Sequence, residues 1–345
     1  MLNLRLFLYV IFIITSAFIS CNNTREETLS VCFAGDLLLD RGVREQIALR
    51  GTETLFGNTD TLLQSCDFAI ANLECPVTRL RTPLNKQFIF RGEPQWLQAV
   101  ANAGITHLTM ANNHFNDQGR TGADSTAFYI RKYGMIPAGY GKNPCEACKP
   151  VILTKNKQKI AIFSNVQVPL ENWFNLPGKS NACQQDIDAL CREIQKFSEA
   201  FPGCPVIATL HWGIEYQAIP AIQQQKNAHA LIDAGADAVI GHHPHVVQSI
   251  EIYRKKPVFY SLGNFIFDNQ HPEAKKGIIV KIVFKGLHYN IIVYPFNIKQ
   301  CSPYFMNEKE CEKFYAKIFP YKKKKYLICK GSRWILPDTS ITANH

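Results

Sequence analysis

The chain has no internal repeat and no long low-complexity linker, so a solenoid, a repeat array and a disordered protein are excluded at the start. No zinc-finger spacing, helix-turn-helix pattern or RNP-type arrangement of aromatics accompanies its formal charge of +10, and no nucleic-acid partner is expected. The basic residues are spread along the chain and gather at Lys322, Lys323, Lys324 and Lys325, which suits a surface drawn to anionic lipid or anionic polymer. It also lacks an apolar run of the roughly 20 residues that a membrane-spanning helix needs. What is present is 345 residues with 46% apolar content, enough to bury the core of one large α/β domain or two modest ones.

Arg5 precedes an apolar stretch from Leu6 to Ile19, followed by Ser20-Cys21-Asn22-Asn23 and a polar chain. This reads as an export signal over 1–21, and a small residue directly before a cysteine resembles the lipobox of bacterial lipoproteins. Cys21 is then expected to carry lipid and to hold the mature protein at a membrane of the cell envelope, outside the cytoplasm, because several acyl chains together anchor stably. An uncleaved anchor helix is the alternative. Spending Cys21 on lipid leaves an odd number of the twelve cysteines, so at least one thiol is expected to stay unpaired. Cys32, Cys66 and Cys75 lie in or beside apolar segments and read as core thiols. The Cys145/Cys148 pair, flanked by Pro144 and Pro150, reads as a loop disulfide or chance spacing in preference to a redox or zinc site.

From Leu29 to Leu262 short apolar runs alternate with helix-like segments, the rhythm of a layered α/β domain. Strands are predicted at Ser30–Gly35, Phe68–Asn72, His107–Ala111, Lys159–Asn165, Val206–His211, Ala238–Gly241 and Val258–Leu262. Helices are predicted at Pro94–Ala103, Ala123–Tyr133, Gln185–Glu199 and Ala221–Ala234, and Gly104, Gly134 and Gly235 stand where caps close three of them. After Phe267 the pattern becomes alternating β-type, at Gly277–Phe284 and Tyr289–Pro295, then a basic, aromatic, helix-like tail. The expected organisation is a domain over 29–298 and a basic extension over 299–345.

The polar residues that end these strands are carboxylates, carboxamides and imidazoles: Asp36, Asn72-Leu73-Glu74, Asn112-Asn113-His114, His211, and His242-His243-Pro244-His245. In open α/β sheets ligands bind beyond the carboxyl ends of strands, so clusters placed this way converge although they are far apart in sequence. The residue types suit Mn, Fe or Zn better than a thiolate-preferring metal. Each element also has a plainer reading. Asp36 could cap a helix starting near Arg41, Asn112 and Asn113 could be turn residues, His114 could lie on the surface, and His211 could be a satisfied core histidine. His243 and His245, one residue apart in an extended segment, would point to the same side.

The series AGDLLLDR, NLECPVT, ANNHFNDQG, GYGKNPCEACKP, HWGIEY, DAGADAVIGHHPHVVQ and YSLGNFIFD, running from Val31 to Asp268, is similar in order and spacing to the motifs of CapA-type, or poly-γ-glutamate capsule synthesis, proteins. That family is a branch related to calcineurin-like metallophosphoesterases. The resemblance implies a four-layer αββα double sheet with one or two divalent ions between strand ends. Carried over by motif, Asp36, Glu74, Asn113, His211, His243 and His245 are the implied metal ligands, with Glu74 where an aspartate bridges two metals. His114 is the implied catalytic residue, aiding the leaving group, while His242 is left out of the set. Two departures stand out: Leu38 occupies a position where related phosphoesterases carry a histidine ligand, and Glu74 is a methylene longer than the usual aspartate.

The implied activity is that of an envelope-anchored, metal-dependent hydrolase or transferase in the synthesis or export of an anionic capsule polymer, with capsule synthase subunits as possible partners. A phosphoester is the other substrate class considered, and Arg41 is a candidate for holding an anionic group. The competing reading is a non-catalytic assembly subunit that keeps the fold and binds the polymer through its basic surface.

Overall fold

The computed structural model describes residues 28–286, 288–318 and 328–340; Cys21 and the lysine cluster at Lys322–Lys325 lie outside them. The chain begins with β1 (Leu29–Leu37), passes through α1 (Gly42–Arg50) and α2 (Asp60–Gln64) to β2 (Phe68–Leu73), through α3 (Leu97–Asn102) to β3 (His107–Thr109), and through α4 (Gly119–Lys132) to β4 (Ile136–Ala138). Then come β5 (Tyr140–Gly141), α5 (Pro144–Ala147), β6 (Val151–Lys155), β7 (Gln158–Val166) and β8 (Asn181–Ala182). Helix α6 (Ile187–Ala200) leads to β9 (Val206–His211), and α7 (Ile222–Asp233) to β10 (Ala238–His242). The remainder is mostly strand: β11 (Ile250–Tyr253), β12 (Lys256–Phe259), β13 (Asn264–Ile266), β14 (Lys276–Lys285), β15 (His288–Lys299) and β16 (Ser302–Phe305). Helix α8 (Glu308–Ile318) then precedes β17 (Ile328–Lys330) and β18 (Arg333–Ser340).

Two large sheets result. The first runs β17-β18-β15-β14-β1-β2-β3-β4, with β13 beside β1 and β16 beside β15; the second runs β11-β12-β10-β9-β7-β6. β1 to β4 are mutually parallel, as are β7, β9, β10 and β12. Strand alternation explains why the sheets stack face to face with helices outside. In β1, Leu29, Val31 and Phe33 enter the core between the sheets, whereas Cys32 and Ala34 face the helices of the first sheet. In β7, Ile160 and Ile162 enter the same inter-sheet core, whereas Ala161 and Phe163 pack against Leu190 and Ile194 of α6 and Leu231 of α7. Each such fully buried aliphatic side chain contributes roughly 1.5–3 kcal/mol. The outcome is the expected αββα double sheet.

Local signals act as their chemistry dictates. The Asp186 carboxylate caps α6 by accepting from the Ala189 N–H at 2.7 Å, and Gly104, Gly134 and Gly235 take positive φ after their helices. Strand ends differ from expectation by a few residues. β6, which pairs antiparallel with β7, was not predicted, because Val151–Lys155 carries only three apolar residues between polar flanks. Among the described residues of the tail, α8 is the helical part; β16 and β18 both pair with β15, so those segments extend the first sheet.

Of the two readings of the Cys145/Cys148 pair, chance spacing is the one that holds. Cys148 is bonded to Cys183, across a separation of 35 residues, and Cys145 is an exposed free thiol, so the pair three apart forms no loop disulfide. The bridge ties α5 to the segment after β8, a contact that only the paired strands β5 and β8 create. Cys32 and Cys75 are buried free thiols and Cys66 is half-buried. Among the described residues no helix is long and apolar enough to cross a membrane.

Candidate metal centre

Strand register lines up the polar residues. Asp36 of β1 pairs with Asn72 of β2 and with Asn264 of β13, Asn72 pairs with Thr109 of β3, and in the second sheet His242 pairs with His211. The two rows meet where parallel strands of both sheets end. Close backbone approach makes this possible at two glycines. A Cβ on Gly35 would lie 1.9 Å from the Gly263 carbonyl oxygen, and one on Gly241 equally close to that of Tyr260, so the residues just before Asp36 and His242 admit no side chain.

At the junction Asn72 Nδ2 donates to Asp36 Oδ1 at 2.8 Å and lies 3.2 Å from His211 Nδ1, while His211 Nε2 lies 2.8 Å from Asn113 Oδ1. His245 Nδ1 stands 2.9 Å from Asn264 Oδ1 and 3.4 Å from Asp36 Oδ2, and its Nε2 lies 3.6 Å from Glu74 Oε1. The backbone N–H of His243 donates to Asp36 Oδ2, and the His243 ring sits 4.8 Å from that of His211. Asp36, Glu74, His211, His243 and His245 are all buried, and Asn113 is half-buried.

Two groups of side chains offer ligand atoms within 4.8 Å of one another: Asp36, Glu74 and His211, and Glu74, His243 and His245. Glu74 belongs to both. Both of its carboxylate oxygens are buried without a hydrogen-bond partner, as is Nδ1 of His243. Such atoms cost about 1–3 kcal/mol each when unsatisfied, and a carboxylate shared between imidazole-bearing groups suits a divalent ion. The donor set therefore fits the implied metal.

The electrostatics agree. Burial works against the charge of Asp36, yet the imidazoles of His242 and His245 outweigh it and hold the carboxyl well below the usual range. Burial and then the negative charge of Asp36 push Glu74 well above it. Burial, reinforced by His243, holds His211 well below the ordinary imidazole value, and burial with His245 brings His243 down to about 4. At His245 burial is overcome by Glu74 and Asp36, which raise it to about 9. Two carboxylates and three imidazoles thus compete for protons in one buried space.

His114 stands at the edge. Its Nδ1 lies 2.8 Å from Asp117 Oδ2, its ring packs on Phe90 at 4.1 Å, and burial lowers its pKa against the pull of Asp117. Asp117 is itself held by the buried Lys86, whose ammonium also donates to the Asn113 carbonyl at 2.7 Å.

All six expected ligands come together, with His114 beside them, but the way two of them arrive needs correction. His243 and His245 have φ of 96° and 58°, so the segment is a strained turn, not an extended strand. Leu38 faces the hydrophobic core, and its N–H donates to the Ile266 carbonyl. Asp36 caps no helix. His242, which the motif reading left out, has Nδ1 3.3 Å from Asp36 Oδ1. Asn72, part of the polar cluster at the end of the second strand, has no role assigned from sequence, and Asn264, Asp117 and Lys86 give no signal there. Asn264 lies in an apolar strand and the other two in loop segments, where single polar residues stay unread until register or packing is known.

Two sheets stacked between helices, with carboxylate, amide and imidazole groups meeting at the ends of their parallel strands, define a four-layer αββα protein with a candidate metal site. The family model described as "Bacterial capsule synthesis protein PGA_cap" matches residues 30–269. The chain belongs to that family. It is 29% identical over 296 residues to the capsule biosynthesis protein CapA of Bacillus anthracis, covering 84% of this chain and 72% of the relative. It is 28% identical over 285 residues to the PGA biosynthesis protein CapA of Bacillus subtilis, covering 81% and 74%. Among solved structures, a hypothetical protein from Thermus thermophilus superposes with a TM-score of 0.50 at 15% identity, covering 79% of this chain and 100% of that one, a likeness of fold alone.

Proposed function

We propose that this protein is a metal-dependent hydrolase or transferase that acts on an anionic polymer or a phosphoester within a capsule-polymer synthesis system, held at the envelope by a lipid on Cys21. The observation that carries the catalytic reading is Glu74, buried, with neither carboxylate oxygen hydrogen-bonded, and shared by two ligand groups. Asp36, Glu74 and His211 would hold one divalent ion, and Glu74, His243 and His245 a second, with Asn113 completing the first set. Such an ion supplies Lewis acidity and a nucleophile at neutral pH.

The protein's own residues do the rest. Asn72 fixes His211 from one side, and Asn264 fixes His245. Asp117 takes Nδ1 of His114, which leaves Nε2 of the protonated ring to give its proton to the departing oxygen of the substrate. Lys86 keeps Asp117 in place and pins the backbone of Asn113, so acid and amide ligand move as one unit. Capsule and PGA biosynthesis, named for the Bacillus relatives, supports a place beside a polymer synthase and makes poly-γ-glutamate the first substrate to try.

The test is elemental analysis of purified wild type, H211A, H243A and H114Q, followed by turnover of a chromogenic phosphodiester and of poly-γ-glutamate with Mn²⁺ added back. H211A and H243A should lose both metal and turnover. H114Q should keep metal and lose about a hundredfold in rate. A wild type that binds no divalent ion and turns over neither substrate overturns this reading in favour of a non-catalytic, polymer-binding assembly subunit.

A further inference from the structure

Arg41 is built into the mouth of the centre. It sits where α1 begins with φ 51° and ψ −128°, a conformation that costs a side-chain-bearing residue energy and persists only where the surroundings enforce it. Its guanidinium carbon lies 4.8 Å from the Phe90 ring centroid and 5.4 Å from that of Phe267. Each of those rings packs in turn on an imidazole of the centre, Phe90 on His114 at 4.1 Å and Phe267 on His245 at 4.8 Å. The cation is thus held between the two walls of the site, and its positive charge reaches Glu74. One amino group is paired with Asp268, whose other oxygen accepts from the Gly42 N–H at 3.0 Å; even so, 39% of the Arg41 side chain stays exposed. Arg41 also lines a cleft of about 590 Å³, with Lys275, Lys299 and the opposing carboxylates Glu45 and Asp268.

Resting on the reading of this centre as a substrate site, we infer that Arg41 is the clamp for an oxyanion of the substrate, carboxylate or phosphate, lying between the metal centre and the cleft. A planar guanidinium fixed between aromatic rings presents its N–H edge in one orientation, which favours forked pairing with an oxyanion. Asp268 takes one amino group of that edge and holds the cation without burying it.

The full chain loaded with Mn²⁺ is titrated calorimetrically with inorganic phosphate and, separately, with tri-γ-glutamate, alongside R41Q, R41K and D268N, with metal content measured on the same samples. R41Q should weaken binding of at least one probe about tenfold or more. R41K should also weaken it, because an ammonium lacks the fork, and D268N should not. Loss for phosphate alone assigns a phosphoryl group, and loss for tri-γ-glutamate alone assigns a carboxylate. An R41Q protein that binds both probes as wild type does, or a wild type that binds neither, overturns the inference. Should R41Q not fold, unchanged affinity in R41K overturns it instead. A wild type without metal sinks the hydrolase reading independently, because probe binding is read from heat and not from turnover.

Discussion

Nδ1 of His242 lies 3.3 Å from Oδ1 of Asp36, although the two belong to different sheets. Asp36 is fully buried, and its charge depends on the imidazoles around it. His242 therefore steadies a candidate ligand even if it binds no metal itself. Residues in that position typically change metal affinity by about 10–100-fold when removed. H242A should lower the affinity for Mn²⁺ in equilibrium dialysis by that order while leaving far-ultraviolet dichroism unchanged. Unaltered affinity would show that Asn72 and His245 suffice for Asp36.

Glu74 carries the cost of the site. Its carboxylate is buried near Asp36 with no hydrogen-bond partner, and unpaired buried polar groups cost about 1–3 kcal/mol. E74Q removes the charge and keeps the shape. Stripped of metal by chelation, E74Q should melt a few degrees above equally stripped wild type. Adding Mn²⁺ should raise the melting temperature of wild type and leave that of E74Q where it was. Equal melting of the two stripped proteins would mean that the repulsion is relieved some other way.

The layers were legible because their cause is local. Alternation in β1 and β7 and three- and four-residue apolar spacing in α6 and α7 are properties of consecutive residues. The convergence of these side chains was legible because Asp36, Glu74, Asn113, His211, His243 and His245 all fall just after or at the end of strands, where parallel sheets gather ligands. What escaped notice depends on pairing. Asn264 reaches Asp36 only because β13 lies beside β1, and Cys148 finds Cys183 only because β5 pairs with β8. The turn at His243 to His245 escaped because neither residue type advertises positive φ as glycine does. Motif similarity supplied roles for these residues, which spacing alone left open.

The Cys148–Cys183 bridge closes a loop of 35 residues, for which loss of unfolded-chain entropy gives ~3–4 kcal/mol. C148S should lower the denaturation midpoint accordingly, and so should a reductant acting on wild type. C145S should change nothing, since Cys145 is exposed and unbonded. Peptide mapping without reductant should recover the 148–183 cross-link. A 145–148 cross-link in its place would reverse the assignment.

Acid stability offers a test away from the metal centre. Hydrogen bonding from Arg91, with help from Arg44 at 3.0 Å, brings Glu93 down to about 2. Arg44 also bonds Asp40 at 2.9 Å, so the cluster ties α1 to the chain leading into α3. An unfolded glutamate titrates near ~4.3. A group whose pKa is lower in the folded state than in the unfolded one stabilises the fold fully above the unfolded value, and that contribution fades as pH falls towards the folded value. The contribution of Glu93 is thus present at pH 7, declines from about pH 4.3 and is gone near pH 2. E93Q abolishes it throughout. Its melting temperature should lie a few degrees below that of wild type at pH 7, and the two curves should converge on acidification across that window. Parallel curves would show that the arginines find other partners when Glu93 is lost, since a charge exposed enough to be screened adds little of its own.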